Sequence, residues 1–196
     1  MQSAGALPYS HKGLLRVLDE AKRIGTLGSA PSTEIIRHST WFADALPADV
    51  IRVIDLGSGA GVPGLIVAVV RPMLQMTLVD RRTKCVDALV RAVSALDLAE
   101  RVSVRCADAE DLSHLPGWQG SFDAAISRGF GPPLMTLTLS ACFVRVGGVV
   151  VISEPPDEVP DRWAGIDLAS LGLRGPQRIG PVAVFHVEHA SPIVDK

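Results

Sequence analysis

An acid followed by closely spaced glycines is a pattern with chemical meaning, and the chain carries one in Val53-Ile54-Asp55-Leu56-Gly57-Ser58-Gly59-Ala60-Gly61-Val62-Pro63-Gly64. The stretch ends a strand-like apolar run and enters a helix whose first turn holds Pro63. Backbone at Gly57, Gly59 and Gly61 can therefore approach a ligand closely. Gly59 to Gly64 taken alone also fits the Gly-x-Gly-x-x-Gly spacing of dinucleotide loops, which hold a pyrophosphate at a helix N-terminus. The acid in front separates the two readings. A carboxylate at Asp55 suits a ligand with an ammonium and a sulfonium and disfavours a phosphate, which points to S-adenosylmethionine.

Asp80 stands at the end of the next apolar run, at the distance where an acid in such folds accepts hydrogen bonds from ribose hydroxyls. It can equally cap the helix that begins near Arg82. Ala107-Asp108-Ala109-Glu110 follows the third run and offers backbone groups and a carboxylate to an adenine edge, or else caps a short helix. Ser127-Arg128-Gly129-Phe130 ends the fourth. In open α/β sheets ligands lie beyond the carboxyl ends of the strands, so Arg128 is the candidate catalytic residue. Its guanidinium can hold the cofactor's carboxylate, a substrate phosphate or a guanine edge, while Phe130 can stack on a base. Methyl transfer to an atom with a free lone pair needs positioning rather than a nucleophile or a proton relay, and neither of those is visible. No metal site is expected: His186 and His189 point to opposite faces of a strand, and His11, His38 and His114 are scattered.

These residues need a sheet to hold them. From Val50 onward short apolar runs alternate with amphipathic stretches, as in a parallel sheet covered by helices on both faces. Strands are expected near 52–56, 75–79, 102–106, 122–127, 148–152, 173–179 and 182–188. Helices should start after Pro63, around Arg82 and around Pro133, with a shorter one over 161–168. The tight Gly180-Pro181 turn makes the last two strands a hairpin, so one strand runs antiparallel. The fold class is α/β, a Rossmann-like class I methyltransferase with a seven-stranded, mostly parallel sheet. Ahead of it, Leu14, Leu15, Val17, Leu18, Ala21 and Ile24 recur at helical spacing. A second helix follows Pro31, with Ser32 as its cap and Ile35, Ile36, Trp41, Phe42 and Leu46 on its apolar side. Residues 1–48 then form a helical cap and 49–196 the cofactor-binding domain.

Composition agrees with this. A chain of 196 residues that is 47% hydrophobic can bury one full core. Its apolar runs fall far short of the roughly 20 residues of a membrane span, and no leader pattern is visible, so a cytoplasmic protein is expected. The three cysteines show no metal or dithiol spacing and read as buried free thiols. A net charge of −2 leaves any affinity for RNA to a local basic surface.

The loop Asp55 to Gly64, Arg71-Pro72 before the second strand, and Ile126-Ser127-Arg128-Gly129-Phe130 resemble the bacterial small-subunit ribosomal RNA guanine-N7 methyltransferases, the glucose-inhibited division protein B family. Arg37-His38 is a fainter match. The resemblance implies that Gly57 and Val62 touch the cofactor, that Ala109 and Glu110 hold its adenosine end, and that Arg128 lies where cofactor and substrate meet. It implies ribosomal RNA or the small ribosomal subunit as partner. The chain departs from the family after the fifth strand: Ile152-Ser153-Glu154-Pro155-Pro156 replaces a Leu-Lys-Gly segment, putting an acid for a base in an exit turn that borders the substrate mouth. A relative on the same scaffold with a small-molecule acceptor is the other reading, and would show a closed apolar pocket under the N-terminal helices.

Overall fold

The computed structural model describes residues 11–155 and 161–190. Helices α1 (His11–Arg23) and α2 (Ser32–Ala45) lead into β1 (Arg52–Leu56), α3 (Gly64–Val70), β2 (Gln75–Asp80), α4 (Thr83–Ala95), β3 (Val102–Cys106) and α5 (Ala109–Ser113). The second half runs β4 (Phe122–Ser127), α6 (Pro133–Phe143), β5 (Val144–Ser153), β6 (Leu173–Ile179) and β7 (Val182–Val187). The sheet order is β3-β2-β1-β4-β5-β7-β6. β7 alone runs against its neighbours, antiparallel to both β5 and β6.

Strand alternation divides the core. Val53, Leu78, Ile126 and Val151 face one side, where α2, α3 and α4 bring Phe42, Leu65 and Leu89. Ile54, Leu56, Ala125 and Val150 face the other, under α5 and α6. A third cluster seats the N-terminal helices: Leu14, Leu18, Ile35 and Ile36 close on Val62 and Ile66. Arg71, just past α3, ties this layer down. Its Nη1 donates to the carbonyls of Ala43 and Leu46 and its Nη2 to that of Pro47, at 2.9–3.1 Å.

Four expectations are corrected. Residues 161–168 form turns, not a helix, because Trp163 turns inward so that its Nε1 donates to Glu154 Oε1 at 2.6 Å. Ser32 does not cap α2; Pro31 stands at that position. The Ser32 hydroxyl is held by α1 instead, donating to Asp19 Oδ1 and accepting from Lys22 Nζ, each at 2.7 Å. β5 begins at Val144, which pairs with Phe122 ahead of an irregularity in the β4–β5 register. Among the cysteines only Cys85 is buried, since Cys106 ends the edge strand β3 and stays exposed.

Candidate active site

The order of the sheet reverses between β1 and β4, which pair in parallel with Leu56 beside Ser127. Such a switch point opens a crevice beyond the strand ends. A cleft of about 520 Å³ occupies it, walled by Gly57, by Asp80 to Arg82, by Ala107 to Glu110, and by Gly129 to Pro132 with Met135 and Leu139 of α6. That volume lies within the roughly 300–1,000 Å³ usual for small-molecule sites. A second groove, about 600 Å³ between α1 and α4, has Arg16, Arg91 and Ala60 in its walls. It takes only Ala60 from the glycine loop and none of the candidate acids, so the first is the candidate site.

The glycine loop is bent as only glycine permits. Gly57 and Gly61 have φ of 70° and 86°. A Cβ on Gly57 would stand 2.8 Å from the Phe130 ring, and one on Gly61 would run into Leu65. Ser58 bolts the loop to β2: its hydroxyl donates to the Asp55 carbonyl and accepts from the Val79 amide. Sequence reasoning passed over Ser58, although a small hydroxyl one residue into such a loop was a usable signal.

Beneath the loop Asp55 is fully buried. Its Oδ2 accepts the Gly64 amide at 3.1 Å, and its Oδ1 has no hydrogen-bond partner. Burial pushes this carboxyl up to about 7, against the opposing pull of the Ser58 hydroxyl and the Gly64 amide. A bare buried oxygen costs roughly 1–3 kcal/mol, and a cation brought to Oδ1 removes that cost.

Asp80 is buried too, but satisfied. Oδ1 accepts the Arg82 amide and Nε, and Oδ2 accepts the Gly59 amide and Arg82 Nη2, all within 2.8–3.0 Å. Burial opposes its ionisation, yet the Arg82 and Gly59 bonds outweigh it and hold the carboxyl below its ordinary value. Asp108 caps α5 through the Glu110 amide at 2.9 Å. It leaves buried Ala109 and exposed Glu110 at the mouth of the cleft.

Arg128 is half-buried, and no hydrogen bond or ion pair holds it among the described residues. It is not part of the cleft wall, which passes from Gly129 through Phe130. Behind burial, its charge lowers the tendency of His38 on α2 to take a proton. Of the candidate residues, Gly57, Asp80, Ala109 and Glu110 line the crevice, while Gly59 and Gly61 lie further along the loop, Asp55 is sealed beneath it, and Arg128 stands outside the wall. Val62 is set apart, its side chain buried in the cap cluster, so only its backbone faces the loop. Glu154 does not project into the mouth. Both its oxygens are taken, by Trp163 Nε1 and, at 3.1 Å, by Arg178 Nη2. No group of three His, Cys, Asp or Glu side chains suited to a metal occurs among the described residues.

Sheet order, switch-point cleft and glycine loop together define a Rossmann-like class I methyltransferase fold. An S-adenosylmethionine-dependent O-methyltransferase from Thermotoga maritima superposes with a TM-score of 0.61 at 16% identity, over 88% of this chain and 71% of that one. A 16S rRNA N2 G1207 methyltransferase from Thermus thermophilus, solved with S-adenosylmethionine and guanosine, gives 0.53 at 18% identity, over 82% and 41%. The chain belongs to the rRNA small subunit methyltransferase G family, whose model matches residues 33–155. The ribosomal RNA small subunit methyltransferase G of Moorella thermoacetica is 32% identical over 154 residues, 73% of this chain and 64% of that protein. The one from Sorangium cellulosum is 41% identical over 101 residues, 52% and 41%. The chain thus spans less than two thirds of the length of these relatives.

Proposed function

We propose that the chain is an S-adenosylmethionine-dependent methyltransferase acting on N7 of a guanine in small-subunit ribosomal RNA. The observation that carries this reading is Asp55, an acid sealed under a glycine loop at the switch point with one oxygen left bare. A site of this kind fits a cationic amino-acid moiety and repels a pyrophosphate. Family membership supplies the substrate class.

When bound, S-adenosylmethionine supplies a methyl group on a sulfonium. Asp55 offers Oδ1 to its ammonium, and Gly57, Gly59, Gly61 and Val62 present backbone to it. Asp80 takes the ribose hydroxyls. For this Arg82, an exposed side chain, must release the carboxylate, because its four acceptor positions are already filled. Ala109 and Glu110 flank the adenine. Arg128 orients, donating to the cofactor's carboxylate or to an RNA phosphate. Guanine N7 already carries a free lone pair, so alignment suffices and no base need act. Arg81 and Arg82 are exposed in the wall of the crevice and supply local positive charge of the kind an RNA partner requires of a chain with net charge −2.

On this reading residues 1–48 serve the acceptor and 49–196 the cofactor. The partner is ribosomal RNA or the small ribosomal subunit, and the location is the cytoplasm. No helix among the described residues is long and apolar enough to cross a membrane. The small-molecule alternative calls for a closed apolar cavity beneath the N-terminal helices; Ile35, Ile36, Val62 and Ile66 pack against one another there, and the groove of about 600 Å³ between α1 and α4 is bordered by Arg16, Asp19, Glu20, Arg23 and Arg91.

The test is methyl transfer from tritiated S-adenosylmethionine to small ribosomal subunits, or their RNA, from a strain lacking the activity. Label should appear in guanine and fall at least about tenfold in Arg128→Ala, the scale of a lost charge-assisted contact. Cofactor binding without RNA labelling would turn the assignment to a small-molecule acceptor.

A further inference from the structure

The bonds around Asp80 leave no room for a ribose, and the obstacle is one side chain. A ribose diol brings two O–H donors, and a carboxylate has about four acceptor positions. Here Oδ1 holds the Arg82 amide at 2.9 Å and Arg82 Nε at 3.0 Å, while Oδ2 holds the Gly59 amide at 2.8 Å and Arg82 Nη2 at 3.0 Å. The two amides belong to the backbone that shapes the site and stay with it. The Arg82 side chain is 61% exposed, whereas the carboxylate it clasps is 3% exposed, so the guanidinium is the group free to leave. It also lies across the glycine loop, its Nη2 3.5 Å from where a Cβ on Gly59 would stand. Once displaced it remains in the cleft wall beside Arg81. The other acids of that wall are already engaged: Asp108 meets Arg81 at 3.6 Å and the Glu110 amide at 2.9 Å, and Glu110 is not free.

We infer that Arg82 is an RNA-positioning residue held in reserve: a cofactor ribose on Asp80 drives its guanidinium off the carboxylate, and the freed group binds a backbone phosphate of the RNA at the cleft mouth. This rests on the proposed function and adds an order of events to it. Before the cofactor enters, Arg82 and Asp80 offset one another and offer a polyanion little. With the ribose in place Asp80 is covered, and Arg82 presents its fork outward. The exchange suits the chemistry, because the planar fork that grips two carboxylate oxygens grips two phosphate oxygens equally well. Binding free energies are reciprocal. RNA therefore holds Arg82 away from Asp80 and tightens the cofactor by the same factor by which the cofactor tightens RNA.

The experiment measures binding, with S-adenosylhomocysteine and its 2′,3′-dideoxy analogue as probes of the Asp80 site and a small-subunit rRNA fragment that the wild type labels as probe of the mouth. Arg82→Ala in the full chain should bind S-adenosylhomocysteine about fivefold more tightly than the wild type, the scale of an exposed ion pair that no longer has to be broken. The dideoxy analogue leaves the pair intact and should bind both proteins within about twofold. In the wild type, S-adenosylhomocysteine should raise affinity for the fragment about fivefold or more and steepen the logarithmic salt dependence by roughly one. The dideoxy analogue should do neither, nor should either ligand on Arg82→Ala. A side chain that only caps α4 would change stability and produce none of these ligand-dependent differences. An equal gain with both ligands in Arg82→Ala, or an RNA affinity indifferent to S-adenosylhomocysteine, would overturn the inference and leave the function standing. Failure of the wild type to label any RNA would overturn both. Should Arg82→Ala not fold, the Arg82 Nε–H resonance of the wild type provides the readout. It should shift on adding S-adenosylhomocysteine, shift again with the fragment, and stay still with the dideoxy analogue; equal behaviour with the two ligands overturns the displacement.

Discussion

Asp55 and Glu154 are both carboxylates buried at the carboxyl ends of neighbouring parts of one sheet, and they differ in what surrounds them. Both Glu154 oxygens are met, by the Trp163 indole and the Arg178 guanidinium, with Arg162 stacked 4.4 Å over the Trp163 ring and its own buried Nε left without a partner. At Asp55 one oxygen is bare, and Arg128, just past the adjacent strand, has no hydrogen bond or ion pair among the described residues. The first group stitches β5 to the β6–β7 hairpin. The second is incomplete in a way a cationic, hydrogen-bonding ligand would complete. Burial of a carboxylate therefore says little about function, and whether its own oxygens are paired says more.

Replacing each acid should pull these regions apart. Asp55→Ala removes the candidate partner of the ammonium and should weaken S-adenosylmethionine binding by about a hundredfold or more, read by calorimetry. Binding within threefold of wild type would remove the basis of the cofactor reading. Glu154→Ala strands the buried Trp163 N–H and should cost about 1–3 kcal/mol of unfolding free energy in a denaturant titration, with cofactor affinity unchanged; a loss of affinity instead would return Glu154 to the site.

The pH dependence sharpens the contrast. Asp55 has a folded value of about 7 against an ordinary 3.8, so between those values the native chain holds a proton that the unfolded chain has released. Stability from this group is present at low pH and falls as pH rises through about 7. Asp55→Asn, which keeps an oxygen for Gly64, should therefore gain on the wild type as pH rises from about 4 to 7, by up to roughly 1.4 kcal/mol per unit. A pH-independent difference between the two would place the bare oxygen in contact with something that already neutralises it.

The sheet was readable because its strands are short apolar runs ending at polar punctuation, Asp55 and Asp80 among them. The glycine loop was readable because its spacing is local. What escaped reading depends on distant partners. The acidic charge of Glu154 is plain in the sequence, but Arg178 lies 24 positions on and turns a charge at the mouth into an internal strut. Ser32 has the chemistry of a cap and yields to Asp19 and Lys22 on the preceding helix.

Arg71 has a mechanical consequence. The carbonyls at the end of a helix have no partners within it, and here one side chain from beyond α3 gathers those of Ala43, Leu46 and Pro47. Helix α2 and the sheet then loosen together or not at all, as one cooperative unit. Helix α1 joins that unit by other means, through Leu14 and Leu18 in the cap cluster and through Asp19 and Lys22 on the Ser32 hydroxyl.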